Sequence, residues 1–355
     1  MLHDPLVFNP LCPRRRFHST PVQCLYLWHC LEAAKIIKIV YANYNMKVGI
    51  TIPNIGPQAT RENVLQTAIQ AEKEGFDSVW TLTRILWPLK LQSPYPGTSD
   101  GSLPIEWQNA LDPLDVLVYL AANTSNIKLG TSVIDMFYYT PIMLAKRLAT
   151  LDVLSQGRVI CGLGLGWSKD EYQASNIPFK DRGERAEEFI QILKKIWNDD
   201  IVEFKGKYYN IPASKIGPKP SQKLHIPIYL GGRSSNTFSR IVKQDLNGWL
   251  GIIGGPLAQV ENSKNAIKQY ADQMNKDSKN FRTIVLTYPN IENGSPTNDR
   301  NRFPLTGTID EIGRDIQRIK DMGVDHLVFA YNFVPIGRDV DKMISISKEL
   351  SKFAR

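Results

Sequence analysis

At 355 residues, with 43% hydrophobic and 22% charged residues, the chain is long enough for one large α/β barrel with insertions or for two modest domains. Its 43 Lys+Arg against 35 Asp+Glu give a formal net charge of +8, but the two signs are interspersed and no basic block marks a nucleic-acid surface. Four cysteines, three of them in the first 45 residues, exclude a disulfide framework, and no apolar run is long enough to span a bilayer.

Residues 1–45 stand apart from the rest of the chain. They hold Cys12, Cys24 and Cys30 and three of the five histidines, without a clean amphipathic period. Met46 then opens a strong strand pattern. The expectation is an extension over 1–45, disordered or a start-site artefact, followed by a single domain over 46–355. Arg14-Arg15-Arg16-Phe17 loosely matches a twin-arginine signal, but Gln23, His29 and Glu32 interrupt the apolar stretch after it, so a cytoplasmic protein is expected. The one cysteine in the body, Cys161, reads as a small core residue in a reducing compartment.

From Met46 onward, short β-branched runs alternate with amphipathic stretches. Strands are predicted at 47–52, 78–82, 127–134, 158–163, 226–230, 248–252, 283–288 and 326–331. Helices are predicted at 61–74, 112–124, 141–154, 182–198, 235–244, 257–275, 309–321 and 339–353. Local chemistry supports the boundaries: Thr60 precedes the first helix, Gly75 follows it, and Asp112-Pro113 opens the second. Eight consecutive β-α units imply a closed parallel (β/α)8 barrel of the TIM type with inserted loops, and a doubly wound open sheet is the alternative.

Three connections are long. The one over 85–111 leaves the C-terminal end of the second strand, where barrel active sites lie, and carries Trp87, Tyr95 and Trp107; it reads as a lid or as a variable surface loop. Within 199–225, Val202 to Tyr209 around Lys205-Gly206 reads as a small hairpin, and further irregular chain flanks the seventh strand at 276–281 and 290–306.

The fourth strand ends in Gly162-Leu163-Gly164-Leu165-Gly166-Trp167. Glycine at alternate positions clears one strand face, either for a flat ligand or to relieve crowding inside a barrel. It is not a dinucleotide fingerprint: Trp167 stands where the third glycine belongs, and this is not the first strand-to-helix turn. His225 and His326 precede strands and so belong to the N-terminal end of the barrel, away from chemistry. No cluster of His, Cys and carboxylates has metal-ligand spacing.

Taken together, Lys47-Val48-Gly49-Ile50-Thr51-Ile52-Pro53, Gly75-Phe76-Asp77-Ser78-Val79-Trp80, Leu129-Gly130-Thr131-Ser132-Val133, the run Leu144 to Asp152, the glycine block and Pro227-Ile228-Tyr229-Leu230-Gly231-Gly232 carry a resemblance. In order and spacing the chain resembles the bacterial-luciferase-like family of flavin- and deazaflavin-dependent oxidoreductases. The resemblance implies a barrel that binds coenzyme F420 or, alternatively, FMN at its C-terminal face, and a homodimer. It implies a non-proline cis bond at Ser132-Val133. It also implies a cofactor bed at Thr83, Ser132, Val133, Gly164, Gly166 and Trp167, with the phosphate side at Gly231, Gly232, Arg233, Ser234 and Ser235. Backbone N–H groups at a helix start, a guanidinium and hydroxyls suit an anionic oxygen, although Ser234 and Ser235 also serve as helix caps.

One departure matters most. Many deazaflavin-using relatives have an Asp-His pair after the second strand, and this chain has Thr83-Arg84. Arg84 is therefore a candidate for holding an anion or developing negative charge, and Asp135 and Glu171 are candidates for proton transfer. The expected function is hydride transfer between coenzyme F420 and a small organic substrate. The alternatives are an FMN-dependent monooxygenase using O2 and a catalytically silent cofactor-binding barrel.

Overall fold

The computed structural model describes residues 45–292 and 302–355; residues 1–44, nearly all of the expected extension, and 293–301 in the last long connection lie outside the described residues. The β-branched runs form β1 (Lys47–Thr51), β2 (Ser78–Thr81), β3 (Lys128–Thr131), β4 (Ile134–Asp135) and β5 (Val159–Gly164). They continue with β6 (Val202–Lys205), β7 (Asn210–Ser214), β8 (Ile228–Gly231), β9 (Gly248–Ile252), β10 (Arg282–Thr287), β11 (Asn290–Ile291), β12 (Thr306–Gly307) and β13 (His326–Phe329). The helices are α1 (Arg61–Lys73), α2 (Pro113–Asn123), α3 (Pro141–Leu154), α4 (Lys169–Ala174), α5 (Arg182–Asn198), α6 (Ser235–Lys243), α7 (Ala258–Gln273), α8 (Ile309–Asp321) and α9 (Val340–Ser351).

Side-chain caps fix where several helices start. Thr60 accepts from the Asn63 N–H, Asp112 from the N–H groups of Leu114 and Asp115, Thr140 from Met143, and Thr308 forms a full capping box with Glu311. Pro113 and Pro141 occupy the first turns, where a missing N–H costs nothing.

The main sheet runs β3-β2-β1-β13-β10-β9-β8-β5 in parallel pairs, and β5 returns to β3 with Leu129 opposite Val159 and Gly130 opposite Ile160. That last pairing closes the barrel and removes the open-sheet alternative. Inside, Trp80, Leu250, Ile284, Leu286, Val328 and Ala330 form the packed core. Trp80 lies across the interior because Gly130 faces it: a Cβ there would stand 2.4 Å from the indole. Its Nε1 donates to Ser78 Oγ at 2.6 Å, which meets His326 Nε2 at 2.8 Å. Burial drives the His326 pKa down to about 3, so this imidazole is a neutral floor residue at the strand starts. His225 precedes β8, its Nδ1 2.8 Å from its neighbour's carbonyl.

Two predicted segments differ, and one helix stands where none is predicted. The strand expected over 127–134 is two strands, because the chain breaks at Ser132 and Val133, whose peptide bond is cis. The hairpin expected over 202–209 turns later than Lys205-Gly206: β6 pairs antiparallel with β7, which begins at Asn210. Helix α4 lacked a prediction, being six residues and too short to show a period. Its start was nonetheless written in Ser168-x-x-Glu171, a capping signature, and the Ser168 side chain accepts from the Glu171 N–H.

The 85–111 connection closes over the C-terminal end of the barrel. Both its ends are tied by Asn54, whose Nδ2 donates to the carbonyls of Leu82 and Leu111 and whose Oδ1 accepts from the Leu82 N–H. Leu103 and Trp107 are buried with Ile55 and Leu82, and Trp87, Leu91, Tyr95, Trp167 and Phe333 pack on them. The segment is thus a lid seated on aromatic rings. Its middle is held by α4, where the Gln92 N–H donates to Asp170 and the Gln92 amide to Gln173.

Candidate active site

Arg84 leaves the end of β2 and turns inward under the lid. Its Nη2 donates to Glu171 Oε2 at 2.6 Å, and the two side chains are 3% and 0% exposed. The guanidinium lies between two indoles, 4.9 Å from the Trp167 ring centre and 5.4 Å from that of Trp107. Glu171 also accepts from the Tyr138 hydroxyl at 2.7 Å and from the Ile85 N–H at 2.9 Å. A buried carboxylate with three donors is well satisfied. Arg84 is not: its Nε and Nη1 are buried without an acceptor, as is Thr83 Oγ1 beside it.

Asp135, the last residue of β4, faces the same cluster. Burial and the nearby Glu171 push its pKa up to about 7, against the pull of Arg84, Tyr138 and the Gly166 N–H. Tyr138 has a single proton, and it goes to Glu171. Asp135 lies beside that hydroxyl, so Asp135, Tyr138, Glu171 and Arg84 form one buried cluster in which Tyr138 and Arg84 both donate to Glu171. Burial and the carboxylates raise the Tyr138 pKa as well, so the phenol stays protonated. Tyr138 carries no signal in the sequence, because nothing local distinguishes it from the neighbouring Tyr139; only the fold brings it to Glu171.

The cleared face of β5 is filled by the chain itself. A Cβ at Gly164 would stand 2.5 Å from Val133 Cγ2 and 2.8 Å from Asp135 Oδ1, and one at Gly231 would stand 3.1 Å from Val133 Cγ1. The glycines therefore seat the Ser132-Val133 segment and bring Asp135 in close; the bare strand face expected for a flat ligand is not open. Ser132 Oγ is held by the Thr81 carbonyl at 3.3 Å. Gly164→Ala is expected to cost about 1–3 kcal/mol through overpacking, with partial recovery in Gly164→Ala/Val133→Ala. Denaturant melts of both variants check this, and an unaltered single variant would contradict it.

Farther out, Gly232, Arg233, Ser234 and Ser235 are exposed at the start of α6. Ser234 caps the helix by accepting from the Thr237 N–H, as the plainer expectation had it. Arg233 is steadied by the Ile252 carbonyl and Gln259, leaving its remaining N–H groups at the rim. The structure therefore gathers Arg84, Glu171, Asp135, Val133, Gly164, Gly166 and Trp167 into one cluster and joins Gly231 to it through Val133. Gly232 to Ser235 form a separate, outer group. Beside Phe333, whose ring touches that of Trp107, a cavity of about 400 Å³ opens between the ends of β1 and β13, lined by Thr51, Ile55, Gln58, Glu106, Asn332 and Phe333 among others.

The sequence model of the luciferase-like monooxygenase family matches residues 46–295. An F420-dependent glucose-6-phosphate dehydrogenase of Amycolatopsis mediterranei (strain U-32) is 33% identical over 193 residues, 53% of this chain and 52% of that protein. The chain spans 64% of the length of uncharacterised Mycobacterium tuberculosis and Mycobacterium bovis relatives, 33% identical over 181 residues or 51% of this chain. Among solved structures, an F420-dependent secondary alcohol dehydrogenase with an F420-acetone adduct superposes with a TM-score of 0.69 at 18% identity, covering 88% of this chain and 99% of that one. The oxygenating constituent of 3,6-diketocamphane monooxygenase from Pseudomonas putida, in complex with FMN, superposes with a TM-score of 0.66 at 15% identity, covering 86% and 97%. At such identities these two structures establish the shared barrel alone. The family match, over more than half of the chain, identifies it as a member of the luciferase-like monooxygenase family, a group of F420- or flavin-dependent oxidoreductases and monooxygenases.

Proposed function

We propose that this chain is an oxidoreductase that moves a hydride between coenzyme F420 and a small organic substrate, with 46–355 as its working domain. The observation that carries the reading is the buried cluster of Asp135, Tyr138, Glu171 and Arg84 at the C-terminal mouth of the barrel. Reducing a carbonyl adds a hydride to carbon and a proton to oxygen, and oxidising an alcohol removes both. An acid titrating near neutral pH is suited to give or take that proton. The F420-dependent relative, at 33% identity, supports the deazaflavin over FMN.

The residues present fit the cofactor. The Val133 segment, seated on Gly164, would bear the ring together with Gly166 and Trp167, and Gly231 to Ser235 with the first N–H groups of α6 would take its phosphate side. When bound, the deazaflavin supplies or accepts the hydride at its C5. The chain's own work is to orient the substrate at Arg84, exclude water under the lid, and hold the proton on Asp135, with Tyr138 and Glu171 fixing its geometry.

Titration of the full chain with F420 and with FMN, followed by absorbance and fluorescence, tests the assignment. Tight F420 binding with indifference to FMN is expected. The reverse would move the function to flavin-dependent oxygen chemistry. Binding without turnover of any alcohol or carbonyl compound would leave a silent cofactor-binding barrel.

A further inference from the structure

We infer that the substrate is a neutral, largely apolar molecule presenting a carbonyl or hydroxyl oxygen to Arg84, and not a phosphate ester or a carboxylate. The inference rests on the function proposed above only in taking the mouth of the barrel as the reaction site.

Three observations carry it. First, buried donors await acceptors on one stretch: Arg84 Nε and Nη1, Trp87 Nε1 and Thr83 Oγ1 have no hydrogen-bond partner. Arginine and indole N–H groups can only donate, so their complement must accept. A buried donor left unpaired costs about 1–3 kcal/mol, and an oxygen placed here recovers that loss.

Second, the charge is already balanced. The guanidinium is compensated by Glu171 at 2.6 Å with both groups out of solvent. The other carboxyl of the cluster, Asp135, is neutral when protonated and negative otherwise, and Tyr138 stays protonated. An anionic substrate would thus bring an uncompensated charge into a dry site, or add to a negative one. A carbonyl or hydroxyl uses the same donors without that cost.

Third, the walls are apolar. Trp107 and Trp167 flank the guanidinium, and Trp87, Leu91, Tyr95 and Phe333 belong to the same apolar cluster, a setting suited to a hydrocarbon body and poor for a hydrated sugar. The contrast with a phosphosugar substrate follows from Thr83-Arg84 itself, since this arginine is consumed as a charge by Glu171 and remains available only as a donor.

The test uses the full chain without cofactor and ligand-observed NMR titrations with cyclohexanone, glucose 6-phosphate and acetate. Saturable binding of cyclohexanone is expected, weakened about tenfold or more by Arg84→Lys, as loss of a charge-assisted hydrogen bond implies. Trp87→Phe, which keeps the ring and removes one donor, should weaken it by a smaller factor and guards against a folding defect in the lysine variant. Glucose 6-phosphate and acetate should not compete. Saturable binding of either anion that Arg84→Lys abolishes would overturn the inference, as would cyclohexanone binding unaltered in both variants or absent in the wild type. F420 binding is read separately from its own fluorescence. Cyclohexanone binding without F420 binding would therefore defeat the proposed function and leave the substrate class standing, and the opposite result would do the converse.

Discussion

Arg84→Met is expected to destabilise the fold by about 3–5 kcal/mol, the range seen when one partner of a buried ion pair is removed. Glu171 is fully buried, and two of its three donors, the Tyr138 hydroxyl and the Ile85 N–H, carry no net charge. Without the guanidinium the carboxylate stays out of water and uncompensated. It would take up a proton or draw α4 open, and α4 also anchors the lid through Asp170 and Gln173. The methionine retains part of the apolar contact with Trp107 and Trp167, so lost charge compensation outweighs lost packing. In Arg84→Met/Glu171→Gln the buried charge is gone, while the amide oxygen can still accept from the Ile85 N–H and the amide nitrogen can donate to the Tyr138 oxygen. At least half of the loss should return. Urea denaturation of wild type, both single variants and the double variant gives the coupling directly. A single Arg84→Met variant within about 1 kcal/mol of wild type would mean that the pair contributes as little as one at the surface.

The barrel was legible because its signals are local. Thr60, Asp112-Pro113, Thr140-Pro141 and Thr308 announce helix starts in the residues themselves, and eight β-α alternations leave closure as the natural arrangement of a parallel sheet. The break in the third strand was written less plainly. Ser132 and Val133 continue the β-branched run, and the family resemblance rather than periodicity drew attention to their peptide bond. The site is a matter of convergence. Arg84 and Glu171 each stand just after a strand, where chemistry is expected, but their pairing across 87 residues is a property of the closed barrel. Tyr138 carries no local mark at all. The glycine block shows the limit most clearly: alternate glycines declare that something approaches the strand, and only the structure reveals that the visitor is Val133 with Asp135 behind it.

Asp135→Asn is expected to stabilise the protein relative to wild type at neutral and alkaline pH while suppressing turnover. The sign follows from the direction of the shift. The native Asp135 carboxyl titrates at about 7 against 3.8 for an ordinary aspartate, so the folded state holds the proton more tightly than the unfolded chain. The associated stability is fully present below the unfolded value and is lost as pH rises through about 7. Between pH 5 and 8 the wild type should accordingly lose about 2–3 kcal/mol relative to Asp135→Asn, which has no proton to release. The groups facing Asp135 are Glu171, Arg84, Tyr138 and Tyr172 together with the Gly166 N–H, and an asparagine keeps the size and neutrality of the protonated acid among them. The hydrogen bonds of Tyr138 and Arg84 to Glu171 therefore survive the substitution while the transferable proton does not. Turnover should fall by roughly 10²–10⁴, the usual contribution of a positioned general acid or base, with F420 binding retained. The pH–rate inflection near 7 should disappear. If that inflection persists in Asp135→Asn, the proton is held elsewhere and the role of Asp135 reduces to positioning Tyr138.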